Sequence, residues 1–375
     1  MTQTKNYGAV KAARIPVSLG LMRLEKTMRK LLVTTATMAM AGLSLAQSLT
    51  GAGATFPYPL YAKYFDEYAK LTGVKVNYQS IGSGGGIRQF IEQTVSFGAS
   101  DAPMTDEQIK DARTASGGSN VLHIPTALGA VVPIYNIPGV SAVLKFDANT
   151  LAGIFLGTIK TWNDPALVKL NPEAKLPPLP ITVVHRSDGS GTTFVWVDYL
   201  TKVSPEWARQ VGRGTSVAWP VGLGGKGNEG VAGVVKQTPG SIGYVEAIYA
   251  RQNKISYGAV QNKSGKFIQA DLPSIRLAAN VVLPGDARVS ITDTPEPGGY
   301  PIASFTYILL YQQADKNKAI KSEADARALS DLIYWILNDG QKYNEGLEYG
   351  RLPEVAKARG MSLLSKMTYN GKALR

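Results

Sequence analysis

A guanidinium, a carboxylate and a run of hydroxyl groups lie close together between positions 186 and 192. Arg186 can bind two oxygens of an oxyanion at once, which a lysine cannot do. Asp188 can hold that guanidinium in place without contacting the ligand. The alternative is that the two residues form an ion pair on the surface, which would have the same spacing. Ser190, Gly191 and Thr192 add hydroxyl and backbone donors. The segment favours anion binding, and Ser190 lacks the G-x-S-x-G surroundings of a hydrolase nucleophile.

Two further segments combine small residues with hydroxyls where a strand pattern gives way to a helix pattern. The first contains Ala54, Thr55 and Phe56, and the second is centred on Ser83. The first turn of a helix leaves about four N–H groups unpaired and carries roughly half a positive charge, so it can bind an anion. Each segment alone is more often only a helix cap. Together with residues 189–192, however, they can surround one small oxyanion.

Asp101 is unexpected in such a site because a carboxylate repels an anion. Its presence makes sense when the ligand carries a proton that the carboxylate can accept. Phosphate keeps an O–H at neutral pH whereas sulfate has none, so a buried acceptor selects phosphate through hydrogen bonding and charge. The alternative is that Asp101 caps a helix, since it precedes Pro103 and the sequence TDEQIK. The residues alone leave both interpretations open.

The elements that must position these residues follow a repeated order of strand, polar loop and helix. Apolar residues at helical spacing predict a helix over 60–71 that ends at Gly73, and alternation predicts strands at 74–79 and 181–185. A long apolar run predicts another strand at 129–140. This order predicts a parallel sheet flanked by helices, with ligands at the carboxyl ends of the strands. Its recurrence indicates two similar α/β lobes.

Composition excludes several kinds of chemistry. The chain has 375 residues, enough for two domains with cores of their own, and a charged fraction of 18% that is typical of a globular protein. It contains no cysteine and only two histidines, so disulfides, thiol nucleophiles, and zinc-thiolate or multi-histidine sites are not expected. We therefore expect neither a metal nor another cofactor.

Residues 1–46 are predicted to be an N-terminal extension and a signal peptide. A basic start at Met28–Lys30 precedes the apolar run LLVTTATMAMAGLSL, and the small residues Ser44 and Ala46 suit cleavage near Ala46. This segment holds seven of the 40 lysines and arginines and one of the 28 acidic residues, so the remainder has a net charge of +6 instead of +12. A weak positive charge without a basic stripe favours a small anion over nucleic acid as the ligand.

Seven blocks of the sequence, in order, resemble the periplasmic phosphate-binding proteins of high-affinity phosphate ABC transporters. The blocks are LTGAGATFPYPLYAKYF, VNYQSIGSGGGIRQFI, VSFGASDAPMTDEQI, LGTIKTWNDPALVKLNP, RSDGSGTTFVW, WPVGLGGKGNEGVAG and GSIGYVEAIYA. The resemblance implies an α/β, periplasmic-binding-protein-like fold, with two lobes joined by a hinge of crossing strands. Lobe 1 is expected over 47–127 and 288–375, and lobe 2 over 128–287.

The resemblance also implies a function. It implies a non-enzymatic, monomeric receptor that binds inorganic phosphate in the periplasm and delivers it to membrane permease subunits, with no nucleic acid as a partner. Asp188 is expected to support Arg186 from outside the ligand shell. The residues that match the phosphate ligands of the family are Ala54, Thr55, Phe56, Ser83, Asp101, Arg186, Ser190, Gly191 and Thr192.

A secreted phosphatase-like or phosphate-ester-binding protein is the alternative function, although the sequence offers it no metal ligands and no clear nucleophile. The run GLGGKG at 222–227 fits a G-x-G-x-x-G dinucleotide pattern, but no clean strand pattern precedes it and the match is weak. No role for the loop 222–230 follows from the sequence.

Overall fold

The computed structural model describes residues 1–6, 8 and 48–375. The predicted signal peptide and its cleavage point near Ala46 lie outside the described residues and stay predictions. Among the helices that are described, none combines the length and the apolar character that a bilayer-spanning segment needs.

Strands and helices alternate along most of residues 48–375. The strands are β1 Ser48–Gly53, β2 Lys75–Ser80, β3 Phe97–Ser100, β4 Val121–Asn136, β5 Lys145–Phe146, β6 Thr182–Arg186, β7 Leu223–Gly225, β8 Ser241–Glu246, β9 Ser256–Tyr257, β10 Ala259–Gln261, β11 Phe267–Ile268, β12 Ala303–Tyr311, β13 Thr368–Tyr369 and β14 Lys372–Ala373. The α-helices are α1 Tyr58–Thr72, α2 Ser83–Ile91, α3 Asp106–Ala115, α4 Ala148–Leu156, α5 Pro165–Leu170, α6 Gly191–Val203, α7 Pro205–Gln210, α8 Gly227–Gln237, α9 Ala247–Gln252, α10 Leu272–Ala278, α11 Glu323–Leu337 and α12 Glu354–Leu364.

The main sheet has the strand order β2-β1-β3-β12-β4-β8-β6-β7, and β9 also pairs with β4. Strand β1 is parallel to β2 and β3, and β6 is parallel to β7 and β8. The central pairings of β3 with β12, β12 with β4, and β4 with β8 are antiparallel. The prediction of a parallel sheet is therefore right at both ends and wrong at the centre, because there β12 runs opposite to the strands on either side of it and β4 runs opposite to β8.

Strand β4 belongs to both halves of the sheet. Its residues 121–130 pair with β12, whereas 131–136 pair with β8. The sequence predicts this strand at 129–140, but it begins at Val121 because β12 supplies partners for the residues before Gly129. We call β2, β1, β3, β12 and residues 121–130 the first half, and residues 131–136 with β8, β6 and β7 the second half.

Each half has helices packed against it, which gives the two-lobed α/β arrangement that the sequence predicts. Helices α1 and α2 contact the strands of the first half, and α6 and α8 contact those of the second half. The boundaries expected near residues 127 and 288 stay predictions.

Helix α1 agrees with its prediction because one face is apolar and a glycine follows its last turn. The N–H of Gly73, at φ 79°, donates to the carbonyl oxygen of Ala69 at 2.8 Å and so ends the helix. The apolar face is buried and consists of Leu60, Tyr61, Tyr64, Phe65 and Tyr68.

Helix α2 lies directly on strand β1 because residue 86 is a glycine. A Cβ atom on Gly86 would lie 2.4 Å from the Cα of Gly53 and 2.6 Å from the carbonyl oxygen of Ala52. Both are backbone atoms, which cannot swing away as a flexible side chain can. This close approach brings Ser83, at the start of α2, next to the loop that follows β1.

We predict that Gly86→Ala lowers the free energy of unfolding by about 1–3 kcal/mol, because the added methyl group forces helix and strand apart. Urea denaturation followed by circular dichroism measures the change. Gly233→Ala is the matched control, since Gly233 lies within α8 and its added Cβ would have no atom within 4 Å. The free energy of unfolding of this control should rise by about 0.5–1 kcal/mol, because alanine has a higher helix propensity than glycine. Equal effects of the two substitutions would contradict the close approach.

Candidate functional site

The loops that follow β2, β3 and β6 meet where the two halves of the sheet face each other. The N–H of Gly84, in the first half, donates to the carbonyl oxygen of Gly189, in the second half, at 2.9 Å. A Cβ atom on Gly191 would lie 2.4 Å from both the Oδ2 of Asp101 and the Oγ of Ser83. Residues from separate segments of the sequence are therefore adjacent in space.

Arg186 is the last residue of β6 and is buried, with 3% exposure. Its Nε donates to the Oδ1 of Asp188 at 2.7 Å, and its Nη2 donates to the Oδ2 at 2.5 Å. Its Nη1 donates to the Oγ1 of Thr192 at 3.3 Å. The interpretation as a surface ion pair is wrong because the guanidinium is buried. These bonds use three of the five N–H groups of the arginine, so two have no acceptor in the described part of the chain and remain for a ligand.

Asp188 keeps the buried guanidinium in place. Its Oδ1 also accepts the N–H of Gly227 at 3.0 Å. Burial by itself raises the pKa of Asp188, but the hydrogen bond and charge of Arg186, together with the Gly227 N–H, bring the pKa below its ordinary 3.8. Asp188 therefore stays ionised at neutral pH and compensates the charge of Arg186, which a buried cation requires.

Asp101 is 1% exposed and is not a helix cap. Its Oδ1 accepts a hydrogen bond from the Oγ1 of Thr306 at 2.8 Å, and its Oδ2 accepts one from the Oγ of Ser83 at 3.3 Å. Helix α3 is instead capped by Thr105, whose side chain accepts the N–H of Gln108. The helix-cap interpretation of Asp101 is wrong, since this carboxyl faces the residues of the cleft.

The carboxyl of Asp101 can gain or lose a proton near neutral pH. Burial raises its pKa from the ordinary 3.8 to about 7, while the hydrogen bond from Thr306 and the charge of Arg186 act in the opposite direction. Such a group can share one proton with a bound anion.

The first turns of α2 and α6 present backbone donors to the same region. The Oγ of Ser190 caps α6 by accepting the N–H of Thr193 at 2.9 Å, so the hydroxyl hydrogen of Ser190 is left to donate. The N–H groups of Gly191 and Thr192 in α6, and of Ser83 in α2, have no protein acceptor within residues 48–375.

The residues that follow β1 are held by bonds to their carbonyl groups. Tyr249 donates its hydroxyl to the oxygen of Thr55 at 2.6 Å, and Tyr349 donates to the oxygen of Phe56 at 2.6 Å. The N–H of Ala54 donates to the carbonyl oxygen of Ala99 in β3. These bonds fix the backbone, and the side chains of Ala54, Thr55 and Phe56 are all buried.

Asn228, like Thr306, is a residue of this cluster that sequence analysis missed. It is fully buried at the start of α8, within the loop 222–230, and its Nδ2 donates to the Oγ1 atoms of Thr55 at 2.7 Å and Thr192 at 3.0 Å. Its neighbour Gly227, at φ 71°, turns its N–H toward Asp188. The available signal was a glycine and a polar residue at a helix start, the same pattern as in the predicted segments.

The arrangement combines one buried cation, amide and hydroxyl donors from both halves, and one carboxyl with a pKa near neutral. Donors of this kind are suited to a small tetrahedral oxyanion, and the carboxyl is suited to an oxyanion that carries a proton. Among residues 1–6, 8 and 48–375, no group of three or more metal-ligating side chains lies close enough to hold an ion.

Comparisons with known proteins identify the family. A family model described as a PBP superfamily domain matches residues 39–339. The phosphate-binding protein PstS of Pasteurella multocida is 46% identical over 354 residues, which cover 93% of this chain and 99% of that protein. The chain belongs to the PstS family. The PstS family member of Methanocaldococcus jannaschii is 38% identical over 332 residues, or 84% of each chain.

Solved structures are similar in fold to this member of the PstS family. A high-affinity periplasmic phosphate-binding protein, PfluDING, solved with phosphate, superposes with a TM-score of 0.67 at 19% identity, covering 84% of this chain and 93% of that one. A phosphate-binding protein from Stenotrophomonas maltophilia has a TM-score of 0.62 at 18% identity, covering 83% and 92%. The predicted periplasmic-binding-protein-like fold is confirmed.

The raised pKa of Asp101 predicts the pH dependence of stability in the ligand-free protein. A carboxyl whose pKa is about 7 when folded and ordinarily 3.8 binds more protons in the folded state. Its contribution to stability is therefore complete below about pH 4 and is lost as the pH rises to about 7. We predict that the unfolding free energy of Asp101→Asn, minus that of the parent, grows by up to about 1.4 kcal/mol per pH unit over this range.

Urea denaturation of both proteins between pH 4 and pH 8 tests this prediction. Taking the difference removes the contribution of Glu246, a buried carboxyl whose pKa burial raises to about 8. A difference that does not change with pH would show that Asp101 titrates normally.

Proposed function

We propose that this protein binds inorganic phosphate outside the cytoplasmic membrane and delivers it to the permease of an ABC transporter. Membership of the PstS family supports the proposal, because the relatives at 46% identity are named phosphate-binding proteins. The observation that carries it is the pair of Arg186 and Asp101, a buried cation and a buried carboxyl with a pKa of about 7 in one donor-rich cleft.

In this proposal the anion accepts hydrogen bonds from both halves of the sheet. Arg186 supplies the positive charge with its two remaining N–H groups, and backbone amides and hydroxyls supply the other donors. Each charge-assisted bond contributes roughly 1.5–3 kcal/mol, so after desolvation and ordering a binding free energy of about −8 kcal/mol or stronger is expected. The proposed ligand residues are Thr55, Phe56, Ser83, Asp101, Arg186, Ser190, Gly191 and Thr192, with Asp188 supporting Arg186. The expectation that Ala54 is a ligand is not carried into this proposal, because its N–H already donates to the carbonyl oxygen of Ala99 and its side chain has no donor.

Asp101 gives the site its selectivity in this proposal. Phosphate carries a proton at neutral pH, and the carboxylate of Asp101 accepts it, held in place by the hydrogen bond from Thr306. Sulfate has no such proton, so it meets a buried negative charge and leaves a buried acceptor unpaired, which costs about 1–3 kcal/mol or more.

Ligand entry needs the two halves to separate. We propose that residues 47–127 with 288–375, and residues 128–287, move as two lobes about strand β4, where its pairing changes from β12 to β8. The bond from Gly84 to Gly189 and the bonds from Asn228 to Thr55 form when the lobes close.

The proposed receptor is monomeric, is secreted after cleavage near Ala46, needs no metal or other cofactor, and has no nucleic acid partner. It is not an enzyme in this proposal. Release of phosphate from a chromogenic ester by the purified protein, with or without a divalent metal, would instead support the phosphatase-like alternative.

We predict that Arg186→Ala weakens phosphate binding by about 2–5 kcal/mol, because the cation is lost and Asp188 is left as a partly buried negative charge without its partner. Arg186→Lys should recover only part of this, since an ammonium group lacks the planar fork that contacts Asp188 and the ligand together. Isothermal titration calorimetry with phosphate measures both. Arg327→Ala is the control, since Arg327 lies on α11 in an exposed pair with Glu323. Unchanged affinity in Arg186→Ala would refute the assignment.

We predict that Asp101→Asn narrows the preference for phosphate over sulfate by about tenfold or more. The neutral amide no longer repels an anion that lacks a proton, and its NH2 group can donate to sulfate where the carboxylate could not. Calorimetric titration with both anions gives the ratio of the two dissociation constants. Asp66→Asn, at an exposed position on α1, serves as the control and should leave the ratio unchanged. If Asp101→Asn still rejects sulfate as the parent does, the site does not select its ligand by the proton that the ligand carries.

A further inference from the structure

Asn228 lies between two of the threonines assigned to the ligand. Its side chain is fully buried, and it contacts the loop after β1, the first turn of α6 and the end of β8. The contact with Thr55 joins the two halves of the sheet, whereas Thr192 belongs to the same half as Asn228.

The backbone of β8 fixes which way the amide of Asn228 points. Its Oδ1 accepts the N–H of Glu246 at 2.8 Å. The opposite orientation would bring two donors together, because the side-chain nitrogen has only hydrogens to offer. The two amide hydrogens are therefore directed one to each threonine, with Nδ2 at 2.7 Å from the Oγ1 of Thr55 and 3.0 Å from the Oγ1 of Thr192.

Each threonine oxygen also receives a second donor. The backbone N–H of Asn228 lies 3.2 Å from the Oγ1 of Thr55, and the Nη1 of Arg186 lies 3.3 Å from the Oγ1 of Thr192. A hydroxyl has two lone pairs and one hydrogen, so both lone pairs are occupied in each case. Neither hydroxyl hydrogen has a protein acceptor within residues 48–375.

We propose that Asn228 is a positioning residue that makes Thr55 and Thr192 obligatory donors toward the bound anion. The proposal rests on the proposed phosphate-binding function and adds a residue to it. With its lone pairs occupied, each hydroxyl can only donate, and the N–H bonds that it accepts polarise its hydrogen. Without Asn228 each hydroxyl is free to turn a lone pair toward the anion, which the anion repels.

If Asn228 directs the two hydroxyls, its substitutions should weaken phosphate binding in an order that a residue with only a packing role would not give. Asn228→Ala removes the donor and should weaken phosphate binding by about tenfold, the loss of one to two neutral hydrogen bonds. Asn228→Asp keeps the shape of the side chain but replaces the donor with an acceptor, which draws both hydroxyl hydrogens away from the anion and adds negative charge. It should weaken binding by roughly a hundredfold or more.

A double-mutant cycle with Thr192→Val tests whether Asn228 acts through the hydroxyl. We expect Asn228→Ala to cost only about threefold when Thr192 is already valine, since one of its two targets is gone. Calorimetry with inorganic phosphate on the parent, the three single variants and the Asn228→Ala/Thr192→Val protein gives these values. Circular dichroism and thermal unfolding establish whether each variant is folded. If Asn228→Ala does not fold, the phosphate affinity of Asn228→Asp tests the inference in its place.

Asn317→Ala is the matched control. Asn317 is 2% exposed, and its Nδ2 donates to the backbone oxygens of Val95 and Ser96, outside the cleft. It should lower thermal stability without changing the affinity for phosphate. Parent-like binding by Asn228→Ala or Asn228→Asp, or independent effects of Asn228→Ala and Thr192→Val, would overturn the inference. A parent that fails to bind phosphate would refute the proposed function itself, which is a distinguishable result.

Discussion

A guanidinium buried at the junction of two sheet halves is the constraint on which the rest of the structure depends. Arg186 cannot stay charged in that place without compensation, and Asp188 supplies it through two hydrogen bonds. Asp188 is held in turn by the N–H of Gly227. This chain of contacts leaves part of the guanidinium free for a ligand and makes the start of α8 part of the site.

The second carboxyl has a different environment and so a different chemistry. Asp188 has Arg186 as a direct partner and its pKa is lowered. Within residues 48–375 the carboxyl of Asp101 bonds to the hydroxyl groups of Ser83 and Thr306, and burial raises its pKa to about 7. One acid therefore remains ionised to balance charge, and the other is poised to exchange a proton. The proposed function uses this difference, because a protonated anion needs both a cation and a proton acceptor.

The crossing strands make this convergence possible. Strand β4 pairs with β12 along its first part and with β8 along its second, so helix starts from distant parts of the chain come to the same cleft. Glycines permit the final approach, since a Cβ on Gly191 would collide with Asp101 and Ser83. The hydroxyl hydrogens of Thr55 and Thr192 must then point toward the ligand. Asn228 lies where its amide group donates to both hydroxyl oxygens and so directs their hydrogens.

The sequence alone determined the alternation of strands and helices, the apolar face and glycine end of α1, and the segments that supply donors, because these depend on spacing between near neighbours. It also marked Arg186 and Asp101 by residue type, and family resemblance joined them into one site. Only the tertiary structure decided the antiparallel centre of the sheet, the early start of β4, the burial of Arg186 and the contacts of Asn228. Each of these depends on partners far away in the chain, and an asparagine at a helix start has no local feature that reveals which distant hydroxyl its amide will meet.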